Sequence, residues 1–526
     1  MIAQSAALSA AALLACISPV LCQTTTRIVT VPSSVPPGAS QTIDSSFPGF
    51  AFEQASFYNY SFNAQGEPNL FSQNLVNAVL SRTGGTPLIR VGGTSGDYGS
   101  YDPSQKDATN FPATDYGPRF DGDLVIGPSY FGAFKNWGST GAKFEFMVPF
   151  NGTGSSHSVE WAQAGMDAIG IDNLYTLEIG NEPNFYGWFK RAGNHAAEYA
   201  KRYGNLMSRL EEKIPALTGK RIYQALDTAA NSAEKLTAKA AFQAGLDQHA
   251  ARIKQVAFHY YQGRGPPDLA SLQTWIQHST TVTNVTENFL PSIRYLQNNH
   301  PAIGFAFTET GYNVGSGSGK AITGNSLATA LWAVDFQLYC MTVGVSRINW
   351  QQILGGSLNM WRAVESRAGP PAVTANFYSQ PFVADFIGKG GGTKVAELDI
   401  TDSNGDHGDG YYAAYAAYNG DGTVARVAVL NLKIWTSDNQ EDNNRPSINF
   451  QLPGLPANVG QVVVHHLNAP GGALASKNLT YAGLEWTWES RGQEIKVEDN
   501  DDILDVVNGE VTISVGASSA VLIEVQ

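Results

Sequence analysis

From about residue 45 to residue 390, short apolar or alternating runs take turns with longer runs whose apolar positions recur every three or four residues. That is the pattern of strands wrapped by amphipathic helices. The strand-like runs are GFAFE (49–53), PLIRVGG (87–93), KFEFMVPF (143–150), LYTLEIGNEP (174–183), RIYQALD (221–227), VAFHYY (256–261), GFAFTETG (304–311) and SRINWQQ (346–352). Helical runs such as NLFSQNLVNAVLSR, HAAEYAKRYGNLMSRLEEKI and LATALWAVDFQLYCMTVG lie between them. Alternation of this kind predicts an α/β chain with a (β/α)8 TIM barrel over 45–390. Beyond it the pattern changes to strands alone, among them GYYAAYAAYN, ARVAVLNLKIW, QVVVHHLN and AVLIEVQ, separated by turn signals such as NGDG and PGG. A β-sandwich domain is expected over 391–526. The early run RIVTVP, within 23–44, is strand-like but precedes the barrel, and is expected to join that sandwich.

Composition narrows the class. Of the 526 residues 43% are hydrophobic and 15% charged, enough apolar material for a sizeable core. Residues 1–22, MIAQSAALSAAALLACISPVLC, carry no charged side chain and are too short and too broken by Ser18 and Pro19 to span a bilayer, so they are expected to be a signal peptide. Removing them takes Cys16 and Cys22 and leaves Cys340 alone on an apolar helical pattern, a small buried hydrophobe with no disulfide partner. Sequons at Asn59, Asn151, Asn284 and Asn478 fit a secreted glycoprotein. A net charge of -13 with no basic run disfavours nucleic acid and sulfated polyanions as partners. No membrane or obligate protein partner is expected, and no HExxH or CxxC spacing suggests a metal or other cofactor.

In a (β/α)8 barrel the chemistry gathers at the carboxyl ends of the strands. Polar residues ending the strand patterns are Glu53, Arg90 with Asp97, Asn151, Asn181 with Glu182, Asp227, His259 with Tyr261, Glu309, and Trp350 with Gln351 and Gln352. Hydrolysis of a glycosidic bond needs two carboxyl groups, roughly 5 to 5.5 Å apart where configuration is retained. Glu182 on the fourth candidate strand and Glu309 on the seventh can meet across a barrel mouth. Glu178 has the same parity as Glu182 but lies deeper, and is taken as structural. Asn151 begins a sequon, and a glycan there would obstruct the mouth, so it is left out of the site.

LEIGNEPN followed by FTETGY resembles clan A of the glycoside hydrolases. With GFAFE, IRVGGTSGDY, HYY and a C-terminal β-sandwich, the chain resembles glycoside hydrolase family 79, the β-glucuronidase and heparanase group, over nearly its whole mature length. The resemblance implies Glu182 as acid/base, Glu309 as nucleophile and Asn181 as a partner of the sugar 2-hydroxyl. It also implies Arg90 and Tyr261 bonded to Glu309, His259 beside Glu182, and Glu53 on sugar hydroxyls. A uronate carboxylate would need donors, for which the Tyr312 hydroxyl and the backbone N–H groups of Gly355 and Gly356 are the candidates. The expected activity is that of a retaining exo-β-glucuronidase acting on a carbohydrate substrate such as arabinogalactan. A neutral-sugar exo-glycosidase of the same clan and an endo-acting heparanase-like enzyme are the alternatives, and a catalytically inert carbohydrate-binding module is a third.

Overall fold

The structure is a computed structural model and describes residues 26–110, 124–151, 157–229, 236–265, 267–314, 325–356, 358–437, 444–499 and 501–526; the expected signal segment lies outside them. Eight parallel strands close into a barrel in chain order: β1 (Pro48–Glu53), β2 (Leu88–Gly92), β3 (Lys143–Val148), β4 (Leu174–Ile179), β5 (Tyr223–Ala229), β6 (Ile253–Arg264), β7 (Gly304–Val314) and β8 (Arg347–Gln352). β8 returns to β1, with Trp350 opposite Phe50. Covered by helices outside and side chains within, the strands are buried on both faces, which is why they read as apolar runs. β6 and β7 run past the predicted ends and pair to Val314 against Arg264.

Two sheets follow. The smaller has the strand order Ile400–Thr401, Thr26–Val29, Ser447–Pro453, Glu510–Gly516, so the N-terminal strand does insert into the distant sheet, antiparallel to one neighbour and parallel to the other. The larger runs from Lys394–Glu397 through Tyr412–Tyr418, Val424–Asn431, Ser519–Val525 and Gln461–Asn468 to Glu494–Lys496. Val29, Val427, Val429, Phe450, Val464, Ile513 and Ile523 pack between the two.

Barrel and sandwich share one apolar core rather than meeting across a wet seam. Trp486 packs on Phe377 and Tyr378, and Tyr481 on Phe382, with ring centroids 5.3 to 5.6 Å apart. The helix Leu327–Val343 is apolar all round because it is sandwiched between the two units. Its first N–H groups, which a helix cannot satisfy internally, donate to sandwich carbonyls, Leu327 to Ala475 at 2.8 Å and Ala328 to Ala473 at 2.9 Å. Its one acidic residue, Asp335, is buried against His278 and the Tyr415 hydroxyl, at 2.9 and 2.7 Å. Cys340 on the same helix is buried and free. Among the sequons Asn478 is exposed, whereas the Asn284 amide, the atom a glycan would take, donates inward to the Tyr260 hydroxyl at 2.9 Å. No helix among the described residues is long and apolar enough to cross a membrane.

Candidate active site

Arg90, on β2, organises the barrel mouth. Its fully buried guanidinium donates from Nε and Nη2 to the two carboxylate oxygens of Glu178 at 3.0 and 2.6 Å, from Nη1 to Glu309 at 2.6 Å, and from Nη2 to Asn181 Oδ1 at 2.8 Å. The Gly-Gly pair after it is what lets it lie there. A Cβ on Gly92 would stand 2.8 Å from Arg90 Nε, and one on Gly93, at φ 111°, would overlap the Glu53 carboxylate.

Glu309, on β7, accepts a second strong bond from the Tyr261 hydroxyl at 2.6 Å. Burial alone would raise its pKa. The His259 and Arg90 charges and the Tyr261 and Arg90 hydrogen bonds outweigh that and hold it below the usual carboxylate value. Glu182 sits just past β4 with left-handed backbone, φ 51° and ψ 55°, a conformation non-glycine residues rarely adopt. Its N–H donates to the Asp227 carbonyl at 2.8 Å, and its own carbonyl accepts from Phe185 N–H at 2.9 Å. The loop is pinned one residue earlier. Asn181 N–H lies 3.0 Å from Asp97 Oδ2 and 2.8 Å from the Tyr186 hydroxyl, which itself bonds Asp97.

His259 lies between the two glutamates, its Nδ1 3.3 Å from Glu182 and 3.9 Å from Glu309, with Nε2 3.8 Å from Asp227. Carboxylate oxygens of Glu182 and Glu309 stand within 4.8 Å of one another. Inverting glycosidases keep their carboxyl groups roughly 6.5 to 9.5 Å apart, to leave room for a water. The two carboxyl groups are therefore near enough to face one small group at the mouth. Glu178, Asp227 and His259, or Glu182, His259 and Glu309, bring enough donors together for a metal ion. A cation in either triplet would have to share Glu178 or Glu309 with the Arg90 guanidinium, which repels it.

Comparison with known proteins gives the chain relatives. Residues 414–522 match the glycosyl hydrolase family 79 C-terminal beta domain. A β-glucuronidase of Aspergillus niger is 29% identical over 94% of this chain and 92% of its own, and one of Neurospora crassa 26% identical over 86% of each. The chain is a glycoside hydrolase, and its C-terminal part is similar to that of family 79. Solved structures agree in fold. A 4-O-α-L-rhamnosyl-β-D-glucuronidase of Fusarium oxysporum superposes with a TM-score of 0.76 at 20% identity, covering 95% of this chain and 100% of that one. A family 51 arabinofuranosidase of Xanthomonas axonopodis gives 0.62 at 14%, covering 96% and 100%.

The barrel brings Glu53, Arg90, Asn181, Glu182, His259, Tyr261 and Glu309 to one mouth. Glu53, at the end of β1, accepts from the Ser95 N–H at 2.9 Å and from Gln351 at 3.4 Å. Burial and the neighbouring Glu309 charge push its carboxyl up to about 7. Of the three expected uronate donors, Tyr312 and Gly356 are engaged elsewhere and Gly355 lies in the same turn as Gly356. Tyr312 is three residues past Glu309, hence on the opposite face of β7, and packs against Trp275 and Trp332 of the outer helices, with ring centroids 5.9 and 5.5 Å apart. Gly356 spends its N–H on the Ile353 carbonyl at 3.0 Å, closing a turn in which Gly355 takes φ 77°. That pair is a chain reversal. The residues that sequence reasoning left without a role are Asp97 and Asp227, both buried and both holding the Glu182 loop. Asp97 lies in IRVGGTSGDY and Asp227 ends a strand pattern, so position flagged both, but nothing in spacing indicates a main-chain partner.

Proposed function

We propose that this hydrolase is a secreted, retaining exo-β-glucuronidase that removes terminal glucuronic acid, with or without a 4-O-methyl group, from neutral plant or fungal glycans such as arabinogalactan. What carries the assignment is the approach of Glu182 and Glu309 to within 4.8 Å, with the hydrogen bonds distributed unequally between them. Glu309 has Arg90 and Tyr261 and is the nucleophile. Glu182 meets neither and is the acid/base.

In the first step Glu309 attacks the anomeric carbon, the glycosidic bond breaks, and the departing oxygen keeps the bonding pair and takes the proton of Glu182. In the second, water attacks the same carbon, its proton passes to Glu182, and Glu309 leaves as a carboxylate. Tyr261 and Arg90 receive that charge back. Asn181, fixed by Arg90 and Asp97, is placed to meet the sugar 2-hydroxyl, and Glu53 a further hydroxyl.

The similarity to fungal β-glucuronidases supports the choice of sugar. A net charge of -13 weighs against an endo-acting role on sulfated chains, which would need several Lys or Arg contacts at once. The experiment compares initial rates on an aryl β-glucuronide, an aryl β-glucoside, an aryl α-arabinofuranoside and heparan sulfate. The glucuronide is expected to be cleaved fastest. Preference for either neutral glycoside, or shortening of heparan sulfate without aryl glucuronide cleavage, would replace this assignment.

A further inference from the structure

We propose that Asp227 is a positioning residue for the proton shuttle, its carbonyl fixing the Glu182 main chain and its carboxylate holding His259 as an imidazolium between the two glutamates. Two consecutive side-chain-bearing residues of β5, Leu226 at φ 81° and Asp227 at φ 47°, adopt left-handed backbone where the register against β6 shifts between Leu226 and Thr228. Strain of that kind persists only where surrounding bonds enforce it. Here it turns one residue in two directions at once. The Asp227 carbonyl meets the Glu182 N–H at 2.8 Å, which helps to hold Glu182 in its own left-handed conformation. The carboxylate turns into the barrel, where Oδ1 accepts from Gln224 at 2.5 Å and Thr308 at 3.0 Å. Its Oδ2 and His259 Nε2 are both buried without a hydrogen-bond partner among the described residues, and Nε2 is 3.8 Å from Oδ1.

The groups facing His259 are Glu182, Asp227, Glu178 and Glu309 on the acidic side and Arg90 on the basic side. Asp227 alone among the acids has no cationic hydrogen-bond donor of its own and no share in the bond-making steps. While Glu309 is ionised, the imidazolium answers chiefly to it. Once Glu309 is esterified by the sugar its charge is gone, and the same imidazolium stands 3.3 Å from Glu182, the group that receives the proton of water. At that stage Asp227, with Oδ1 3.8 Å from Nε2, is the acid on the side of the ring away from Glu182.

This role rests on the retaining reading of the Glu182 and Glu309 pair, so the test reads the imidazole separately from catalysis. Histidine-labelled protein is titrated by NMR, the His259 signal being identified by its loss in His259→Gln. In the wild type it should stay protonated well past neutrality, and in Asp227→Asn it should titrate about one pH unit or more lower. On an activated aryl glucuronide, Asp227→Asn and His259→Gln should each lower kcat and KM together and show a burst, because the second step becomes limiting, and the double variant should lose little more. An imidazole that titrates near its ordinary value in the wild type overturns the proposal, a result available even if Asp227→Asn fails to fold. An unshifted imidazole in a folded Asp227→Asn also overturns it. An intact titration shift with no cleavage of any aryl glycoside would instead sink the retaining reading.

Discussion

Among its described residues the barrel holds two buried arginine–carboxylate clusters, one at its mouth and one toward its base, and they differ in how their charges are matched. At the base Arg347 donates to Glu145 at 2.8 Å and stacks on Tyr175 at 4.3 Å. Glu145 also accepts from Gln255 at 3.3 Å and Asn349 at 2.7 Å. Arg347 and Glu145 pair with side chains 1% and 0% exposed, and Asp44 and Lys254 add one further charge of each sign nearby. At the mouth Arg90 faces Glu178 and Glu309, with Glu182, Asp227 and Glu53 close behind, and Glu182 and Glu309 keep 19% and 10% of their side chains open. Gln224 joins the two clusters, donating to Glu178 at 3.1 Å and Asp227 at 2.5 Å and accepting from Gln255. Burial and pairing are thus common to both ends. What distinguishes the mouth is a surplus of acids over cations. Carboxyl groups that cannot all be ionised together separate into protonated and ionised members, and a two-carboxylate hydrolase requires that separation.

The largest effects should come from removing either open carboxylate. Glu309→Gln and Glu182→Gln should each lower kcat/KM by about 10²-fold to 10⁴-fold or more while leaving the melting temperature close to wild type, because the amide is nearly isosteric. They should differ in kind. With an activated leaving group Glu182→Gln should still form the glycosyl-enzyme and regain turnover with azide, whereas Glu309→Gln should trap nothing. Full activity in either variant would dissolve the distinction between mouth and base.

The converse change breaks the base. Arg347→Met leaves Glu145 buried without its cation, and the expected loss of stability is about 3 to 5 kcal/mol, read as a lower denaturant midpoint. Protein that remains folded should keep wild-type kcat. A selective loss of kcat at unchanged stability would mean that the base takes part in the reaction through Gln224.

Much of this was legible in the chain. The eight strands appear because parallel strands buried on both faces must be apolar, and the catalytic candidates appear because barrel chemistry sits at strand ends. The base cluster did not, since Glu145 and Gln255 occupy early strand positions that a search of strand ends passes over. The Arg90 and Glu178 pair was half legible. Parity set Glu178 on the face of Glu182, but its partner lies two strands away on β2, and closure of the barrel is what brings them together. Tyr312 was misplaced although the alternation of β7 carried the answer, three residues being an odd step. Gly355 and Gly356 fit a nest or a turn equally well, and only the Ile353 bond decides between them.

A subtler disturbance should follow from Gly93→Ala. At φ 111° and ψ 176° the position lies in a region open only to glycine, at a cost of about 1 to 3 kcal/mol for alanine, and the new methyl would displace the Glu53 carboxylate. KM is expected to rise more than kcat falls, since the proposed role of Glu53 is to meet a sugar hydroxyl rather than the reacting bond. An unchanged KM in soluble protein would remove Glu53 from the sugar site.

The smallest effect, and the one that sharpens the surplus-of-acid comparison most, is the pH response of Glu53. Burial and the Glu309 charge raise its carboxyl from 4.5 to about 7, so it is protonated at acidic pH and ionises as neutrality is passed. A carboxyl raised on folding favours the unfolded chain as it ionises. Its contribution to stability is therefore intact below about pH 4.5 and is lost as pH climbs to 7 and beyond. Glu309, held below its usual value, behaves oppositely: its contribution is present above pH 4.5 and lost as the pH falls. The two should bound an acidic working range. Above it, ionised Glu53 sets a second negative charge beside Glu309 and repels the carboxylate of a uronate substrate, so the alkaline fall of kcat/KM should come mainly through KM. Glu53→Gln removes that charge at every pH. It should move the alkaline limb upward by about one unit and flatten the loss of stability between pH 5 and pH 8, while leaving the acid limb where Glu309 puts it. Paired pH profiles of kcat/KM and of the melting temperature decide it. An alkaline limb that does not move in Glu53→Gln would remove Glu53 from the pH response of the mouth.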